Sequence, residues 1–255
     1  MLKTVDKCSV EYVSHMGSDL TVVNAARVSF DKESEYEVLY KGRIAEYDGD
    51  VVYPDFDIEL NESDKKLIKY LAKHNHWTPF AHPQITLRET VPIFVARQRF
   101  KHMVGFTYNE VSRRYVSDEP SFYAPKVWRS KPEGSAKQGS GSYVVYTIPT
   151  KYIDNYGEIH DDNPFISEAY AEHLALSRQL YDSMLEAGVA PEQARMVLPQ
   201  SMMTSYYVTG SLAAFVRLVK QRKDAHAQRE IQELAEQIET IIAPLFPESW
   251  AALIN

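Results

Sequence analysis

Residues 84–103 read QITLRETVPIFVARQRFKHM, and the spacing of apolar residues changes within this stretch. Ile85 and Leu87 alternate with polar neighbours, which is the period-two pattern of a strand with one buried face. Pro92 suits the first turn of a helix, because it has no backbone N–H to leave unpaired. We therefore predict a strand that leads directly into a helix of sequence IFVARQRFKHM.

Caps, breakers and helical spacing predict further helices on both sides of this unit. The first is capped by Ser63 and has Leu67, Ile68 and Leu71 on one face. The next three are a helix from Phe165 to Leu185 closed by Gly188, a short helix between Pro191 and Pro199, and a helix after Gly210. The last helix carries an apolar stripe of Ile231, Leu234, Ile238, Ile241 and Leu245. Such a stripe is usually core. Strands between long helices predict an α+β fold, with a mainly antiparallel or mixed β-sheet packed against long α-helices.

The chain has 255 residues, 44% of them hydrophobic and 25% charged, which is ordinary globular composition. Its length suits one large domain or two small ones. Two polar, turn-rich stretches at about 34–58 and 129–164 are too short to be domains. We therefore predict a single domain over residues 1–255, with these two insertions as loops or hairpins.

Several protein classes are disfavoured by composition. The single cysteine, Cys8, cannot form an internal disulfide, which points to a reducing compartment. No signal peptide is predicted in the first twenty residues, and no run of eighteen apolar residues predicts a membrane span. The net charge of −7 argues against bulk binding to nucleic acid. We expect a cytoplasmic protein, most simply an enzyme.

Positive charge is concentrated locally, against this acidic trend. Between residues 90 and 116 there are five cations and one carboxylate, Glu110. The cations are Arg97, Arg99, Lys101, Arg113 and Arg114, and a second group comprises Arg217, Lys220, Arg222 and Lys223, with Arg195 alone. Arg grips phosphate or carboxylate with two parallel hydrogen bonds, so these groups indicate an anionic ligand. Solvated helix faces are the alternative for any single Arg.

The histidines do not predict a metal site. His74, His76 and His82 lie close in sequence, but no thiolate is near them and their spacing matches no recognised zinc pattern. We therefore predict no metal. His102 and His226, taken alone, are most simply structural histidines.

Longer motifs resemble the flavin-dependent thymidylate synthase (ThyX) family. They are GSDLTVVNAARVSF at 17–30, TPF-x-H at 78–82, PIFVARQ at 92–98, NE-x-S-x-RY at 109–115, ARMVLP at 194–199 and RKDAHAQREI at 222–231. The family's R-H-R signature, followed by seven or eight residues and Ser, corresponds to Lys101-His102-Met103 and Ser112. The resemblance extends from about residue 9 to 240, outside the insertions.

This resemblance implies a fold and a reaction. Members of the family methylate dUMP to dTMP, with methylenetetrahydrofolate as carbon donor and NADPH as reductant through bound FAD. Their sites form between the subunits of a homotetramer. The unrelated cysteine-dependent thymidylate synthases attack the uracil ring with a thiolate, and Cys8 lies far in sequence from every motif above. Flavin chemistry needs no such thiolate.

The resemblance also implies residue roles. Arg222 is the expected catalytic residue, favouring charge that develops on the pyrimidine. The expected dUMP contacts are Gln98, Lys101, Glu110, Ser112, Arg113, Arg114, Arg195 and Arg222. The expected FAD contacts are His76, Thr78, Lys101, His102, Met103, Asn109, Glu110, Ser211, Arg217 and His226. Ser112 is better interpreted as a substrate contact than as a nucleophile, since no base is evident in sequence.

Departures from the family pattern leave an alternative open. Lys101 and Met103 replace arginines, Ala81 replaces Glu, and Thr209 to Leu212 replace Asn-x-Arg. Each lost contact to an ionised group costs roughly 1.5–3 kcal/mol, so FAD affinity is expected to fall. We predict a working variant, because cations such as Arg99 and Arg217 lie close in sequence. The alternatives are a non-catalytic descendant that binds nucleotide or flavin, and a nucleic-acid binder using Phe100, Phe106, Tyr108 and Tyr115 among the 97–114 cations.

Overall fold

The fold is a four-stranded sheet covered by helices. A computed structural model describes residues 2–40, 56–116, 118–134 and 139–255. In these residues the strands are β1 Thr4–Val5, β2 Ser9–Met16, β3 Glu37–Tyr40, β4 Phe56–Glu59, β5 Gln84–Pro92, β6 Phe106–Glu110, β7 Phe122–Tyr123, β8 Thr150–Ile153, β9 Ile159–Asp162 and β10 Met203–Ser211. The helices are α1 Asp19–Arg27, α2 Glu62–Lys73, α3 Ile93–Arg99, α4 Ile166–Glu186, α5 Pro191–Ala194, α6 Leu212–Arg222, α7 Arg229–Ile242 and α8 Pro247–Ile254. Short 3-10 turns connect several of them.

The central sheet has the order β2-β5-β10-β6, with every neighbouring pair antiparallel. Ile85 and Leu87 of β5 are fully buried, while Arg88 between Leu87 and Glu89 is exposed, as the period-two pattern predicts. Leu87 lies opposite Val208 of β10, so both strands present apolar side chains to the same face. The predicted α+β class, with an antiparallel sheet against helices, is confirmed.

The core lies between this sheet and helices α2, α6, α7 and α8. The stripe of α7 is core: Ile231, Leu234 and Ile238 are buried, and Ile241 and Leu245 pack partly buried against the same cluster. Helix α8 was not predicted. It contributes Trp250 to the cluster, and its first turn is fixed by the Asp19 carboxylate, which accepts from the backbone N–H groups of Glu248 and Ser249 at 2.9 Å.

Three predicted helix-end assignments are wrong. Asn61, not Ser63, caps α2: its side chain accepts from the Asp64 backbone N–H at 2.9 Å. Ser63 lies inside the first turn. The predicted helix 93–103 ends at Arg99, because the chain must turn back into β6, and Pro92 lies at its N-cap rather than in its first turn.

Both insertions contain antiparallel strand pairs. Strand β3 pairs with β4 in the first, and β8 pairs with β9 in the second. Residues 41–55 and 135–138 of these insertions lie outside the described residues. Both pairs are separate from the central sheet, which fits their interpretation as hairpins on one domain.

A fully buried ion pair joins α3 to the sheet. The Arg99 guanidinium donates to both carboxylate oxygens of Glu89, at 2.9–3.1 Å, and both side chains have 0% exposure. Tyr206 donates to the same carboxylate at 2.6 Å, and Arg99 donates to the Tyr108 hydroxyl at 2.6 Å. The guanidinium also lies 4.5 Å from the centre of the Phe106 ring. The charges are therefore paired and hydrogen-bonded, as burial requires.

Breaking this pair should destabilise the protein. We expect Arg99→Leu to lower the free energy of unfolding by about 3–5 kcal/mol, because it leaves a buried carboxylate unpaired. Urea unfolding measures the change. Arg229→Ala, which removes exposed pairs with Glu233 and Glu236, is the control and should cost less than about 1 kcal/mol. A loss at Arg99 no larger than at Arg229 would contradict this interpretation.

Candidate active site

The end of α3 and the end of α6 meet at a hydrogen bond between two predicted site residues. Arg222 Nε donates to His102 Nε2 at 2.8 Å, and Arg222 Nη2 reaches the Gln98 carbonyl at 3.4 Å. Because Nε2 accepts this bond, His102 is neutral and carries its proton on Nδ1. This hydrogen bond orients the Arg222 guanidinium and leaves some of its N–H groups available to a ligand.

Burial and surrounding cations keep His102 neutral. Burial, followed by the charges of Arg222, Arg99 and Arg217, lowers the pKa of His102 from 6.5 to about 4. A protonated imidazole would lose the acceptor that Arg222 uses. At neutral pH, therefore, this pair presents a single positive charge, located on the arginine.

The buried ion pair reaches this site through Tyr108. The Tyr108 hydroxyl accepts from Arg99 and donates to the His102 carbonyl at 2.6 Å. Burial, opposed by the charge of Arg99, raises the pKa of Tyr108 to about 12, so the hydroxyl keeps its proton. The turn that holds His102 is thus attached to the core by a chain of hydrogen bonds.

Two glycines allow this turn to lie against the start of α6. Gly105 has φ +80°, and a Cβ there would be 2.9 Å from the Cβ of Ala214. A Cβ on Gly210 would be 2.3 Å from the Phe106 ring. Arg217 of α6 donates to the Val104 carbonyl and closes the contact. Only residues without a side chain allow this approach.

A cavity of about 600 Å³ opens beside this turn. Its walls include His76, Trp77, Phe80, Val104, Arg217 and Lys220, from the end of α2, the following loop and α6. Rings suit a planar cofactor, and the two cations suit phosphate. Two predicted FAD contacts, His76 and Arg217, line it. The residues present therefore fit a flavin nucleotide.

The other predicted FAD contacts differ in position and in burial. Lys101 and Met103 are exposed on the turn, and the relative accessibility of Met103 is 73%. Thr78 precedes a 3-10 turn, Asn109 and Glu110 lie on β6, and His226 is exposed after α6. Ser211 is buried, and its hydroxyl caps α6 by accepting from the Ala214 N–H at 3.3 Å.

The predicted dUMP contacts fall into separate groups. Gln98, Lys101 and Arg222 lie with His102, whereas Glu110, Ser112, Arg113 and Arg114 lie at the other end of β6 or just beyond it. Arg195 lies on a separate, exposed turn after α5. Among the described residues, no hydrogen bond joins the first group to the second or to Arg195.

Contacts within the second group use some of its polar atoms. Glu110 accepts from the Thr204 hydroxyl at 2.6 Å, and Ser112 accepts from Arg114 Nε at 3.2 Å. Arg113 donates to the Asp118 carbonyl. No imidazole or ammonium group hydrogen-bonds to Ser112 among the described residues, and its role as a substrate contact stays a prediction.

The buried Arg99 corrects one expectation. Arg99 was expected among the cations that compensate for Lys101 and Met103, but it is inaccessible and committed to Glu89. Of the two expected cations, Arg99 and Arg217, it is Arg217 that lines the cavity. The aromatic residues proposed for nucleic-acid binding are also mostly internal, since Phe100, Phe106 and Tyr108 pack against the core and only Tyr115 is exposed.

The histidines of the 74–82 stretch do not converge on a metal geometry in the described structure. The rings of His74 and His76 flank Tyr70, with their own centres 6.2 Å apart. The group whose ligand atoms do lie within 4.8 Å of one another is Asp154, Glu158 and His160 on the β8–β9 hairpin. There the Asp154 carboxylate already accepts from two backbone N–H groups and contacts His160, which accounts for the cluster as a turn.

Comparisons with known proteins give a consistent result. The family model described as thymidylate synthase complementing protein matches residues 11–248. A flavin-dependent thymidylate synthase from Thermotoga neapolitana is 33% identical over 254 residues, covering 100% of this chain and 94% of the relative. One from Streptomyces avermitilis is 34% identical over 251 residues, covering 96% and 89%.

Solved structures give the same fold. A UMP/dUMP methylase PolB from Streptomyces cacaoi, bound with 5-Br UMP, superposes with a TM-score of 0.72 at 25% identity, over 99% of this chain and 96% of that one. The same enzyme bound with 5-Br dUMP gives a TM-score of 0.70 at 27% identity, over 98% and 96%. Among the described residues, no helix has both the length and the apolarity to cross a membrane.

The His102 environment predicts a pH dependence of stability. Between pH 6.5 and about 4 the unfolded chain binds a proton at this residue that the folded chain does not. Stability from this group is therefore fully present above pH 6.5 and falls as the pH is lowered through the window. Urea unfolding at several pH values should show that the free energy of unfolding falls more steeply with decreasing pH in the native protein than in His102→Gln. An NMR titration that gives the His102 ring a pKa near 6.5 would contradict this prediction.

Proposed function

The chain belongs to the flavin-dependent thymidylate synthase family, and we propose that the cluster around His102 and Arg222 is where it methylates dUMP to dTMP. The observation that carries this assignment is the Arg222–His102 hydrogen bond beside a cavity suited to a flavin nucleotide. It supports the assignment because an oriented cation would then lie next to the cofactor. The enzyme is thus a methyltransferase that depends on FAD.

Arg222 is proposed to act on the pyrimidine ring. Burial, with the charge of Arg99, lowers the pKa of Arg222 from its ordinary value, but an arginine remains charged in proteins. A fixed cation in a partly buried site stabilises negative charge that develops on the ring as C5 becomes nucleophilic. His102 is a positioning residue for this guanidinium. Gln98 is proposed to supply directional hydrogen bonds to the edge of the same pyrimidine ring.

Residues that line the cavity of about 600 Å³ are proposed to hold FAD, which supplies the hydride when bound. Arg217 and Lys220 would pair with its phosphates, and the rings of His76 and Trp77 would lie against its planar groups. Met103 lies on the turn beside this cavity. The exposed Lys101, two residues before it, would neutralise substrate phosphate.

The co-substrates, the location and the oligomeric state are proposed from membership of the family. Methylenetetrahydrofolate is proposed as carbon donor and NADPH as reductant, in a cytoplasmic enzyme. A homotetramer with shared sites is proposed because, among one chain's described residues, no hydrogen bond joins Ser112, Arg113 or Arg114 to Arg222, while both groups are expected at dUMP. The exposed length of α4, with only Leu174 and Tyr181 buried, offers surface for such packing.

A thiolate mechanism is not supported by Cys8. Burial, followed by the charges of Glu230, Glu233 and Glu89, raises the pKa of Cys8 to about 12. A thiol with that pKa is protonated at neutral pH and is a poor nucleophile. The alternative of a non-catalytic descendant has no support from the comparisons, since the relatives reported above are named as synthases or methylases.

Removing the Arg222 charge should abolish most turnover. We expect Arg222→Gln to lower tritium release from dUMP labelled at C5 by at least about a hundredfold, as expected when one preorganised electrostatic contact is lost. Flavin content should be retained. Lys151→Gln removes an exposed cation of the β8–β9 hairpin that pairs with Asp161, and it is the control with unchanged turnover. Equal rates in both variants would exclude the proposed role.

Restoring a cation on the turn should tighten flavin binding. A contact to an ionised group contributes about 1.5–3 kcal/mol, but the exposure of Met103 reduces this, so we expect Met103→Arg to lower the Kd for FAD roughly tenfold. Quenching of FAD fluorescence measures the Kd. Tyr156→Arg adds the same charge on the β8–β9 hairpin and should leave the Kd unchanged. An identical shift in both variants would show that only net charge matters.

A further inference from the structure

The side chains of Gln98 and Gln228 form a hydrogen bond at the proposed active site. Gln98 Nε2 donates to Gln228 Oε1, although the two residues are 130 positions apart in sequence. The backbone of Gln98 lies beside the proposed catalytic arginine, because its carbonyl accepts from Arg222 Nη2 at 3.4 Å. Gln228 is not among the contacts that the family resemblance implies, so its bond to Gln98 needs a separate explanation.

The position of Gln228 in the fold is unusual for its side chain. Gln228 is the N-cap of α7, where its carbonyl accepts from the backbone N–H groups of Ile231 and Gln232 at 3.1 Å. N-cap residues are usually Ser, Thr, Asp or Asn, whose side chains accept from N–H groups of the first turn. The Gln228 side chain makes no such bond and extends to Gln98 instead. The helix therefore fixes the backbone of Gln228, while its amide serves another residue.

The carboxylate of Glu230 sets the polarity of the Gln228 amide. Glu230 is 4% exposed, and its Oε1 accepts from Arg129 at 2.6 Å and from the Tyr123 hydroxyl at 3.3 Å. Against the opposing effect of burial, hydrogen bonds from Arg129, from the Glu230 backbone and from the Gln228 side chain, with the charge of Arg129, hold the pKa of Glu230 below its ordinary value. The carboxylate is therefore ionised at neutral pH and can only accept hydrogen bonds.

One orientation of the two amides satisfies these contacts. Since Glu230 only accepts, the bond from Gln228 comes from its Nε2, and its Oε1 is left for Gln98. Gln98 must then present its own Nε2 to Gln228. Turning over either amide, or both, would place two donors or two acceptors against each other. Gln98 Oε1 is consequently left for a ligand, and no group donates to it among the described residues.

We propose that Gln228, oriented by Glu230, makes the enzyme selective for uracil over cytosine by fixing the orientation of Gln98. This inference rests on the proposed function, which places Gln98 at the edge of the pyrimidine ring. The fixed amide offers Oε1 as an acceptor and the second N–H of Nε2 as a donor. Uracil complements this pair with its N3–H and a neighbouring carbonyl. Cytosine has an unprotonated N3 and an amino group there, so acceptor would meet acceptor and donor would meet donor.

A glutamine amide that can turn over does not distinguish these bases, because a rotation of 180° exchanges its oxygen and its nitrogen. Rotation of Gln98 would place its oxygen against Gln228 Oε1. Rotation of Gln228 to relieve that contact would bring its oxygen to the buried carboxylate of Glu230. Such mismatched polar groups are costly where water cannot replace the lost hydrogen bonds. Gln228 and Glu230 are therefore positioning residues for Gln98.

The binding of two nucleotides to the FAD-loaded enzyme tests the proposal. Equilibrium dialysis with labelled dUMP and with labelled dCMP gives the ratio of their Kd values. We expect the native enzyme to prefer dUMP by at least about a hundredfold, because the wrong base leaves polar groups unpaired. In Gln228→Lys the ammonium group can only donate, so Gln98 must turn its oxygen toward residue 228. In that variant we expect the Kd for dCMP to fall, and the Kd for dUMP to rise, by at least about tenfold each.

A gain of dCMP affinity separates a change of orientation from structural damage, because a damaged site binds both nucleotides less well. Gln228→Leu leaves Gln98 free to turn, and we expect it to lower the preference for dUMP at least about tenfold through tighter binding of dCMP. This second variant also covers the case in which Gln228→Lys does not fold. Thr240→Lys is the matched control, since it adds the same charge at an exposed position about 18 Å further along α7 and should leave the preference unchanged.

Three results would overturn the proposal. They are an unchanged preference in the Gln228 variants, an equal loss of both nucleotides in these variants, and a native enzyme that binds dUMP and dCMP equally well. A different result would contradict the proposed function alone. It is a native enzyme that prefers dUMP, and loses that preference in Gln228→Lys, but releases no tritium from dUMP labelled at C5.

Discussion

The buried contact between Arg99 and Glu89 is the interaction on which the site depends. It fixes the end of α3 against β5 and β10, where water cannot compete for either charge. From Arg99 the hydrogen bonds continue through Tyr108 to the carbonyl of His102, and from the His102 ring to Arg222. The orientation of the proposed catalytic arginine is therefore set by a charge pair inside the core. Because removing one partner leaves a buried charge, the arrangement tolerates change poorly.

Much of the fold was predictable because periodicity directly reflects burial. The alternation at Ile85 and Leu87 and the stripe of α7 both correspond to core faces. The same rules contained the signal for the ion pair that sequence analysis missed. Glu89 lies two residues after Leu87 on β5 and therefore points to the same buried face of the sheet. Arg99 lies four residues after the buried Val95 on α3 and therefore shares its buried helix face. Treating charge as a surface property concealed this.

Other features lay beyond local sequence rules. Asn61 rather than Ser63 caps α2 because both residue types suit a cap, and only the backbone geometry selects between them. The contact between His102 and Arg222 joins residues 120 positions apart, which no spacing rule relates. Family resemblance identified several residues that meet at the proposed site, but not the buried groups that position them.

The account's central claim is that cofactor and substrate meet at the Arg222–His102 pair. The most direct test is the visible absorption spectrum of the FAD-loaded protein, recorded before and after addition of dUMP. We predict that dUMP shifts the flavin bands in the native protein and leaves them unchanged in Arg222→Gln with flavin still bound. Protein that remains colourless after incubation with FAD, or flavin bands that are insensitive to saturating dUMP in the native protein, would contradict the claim.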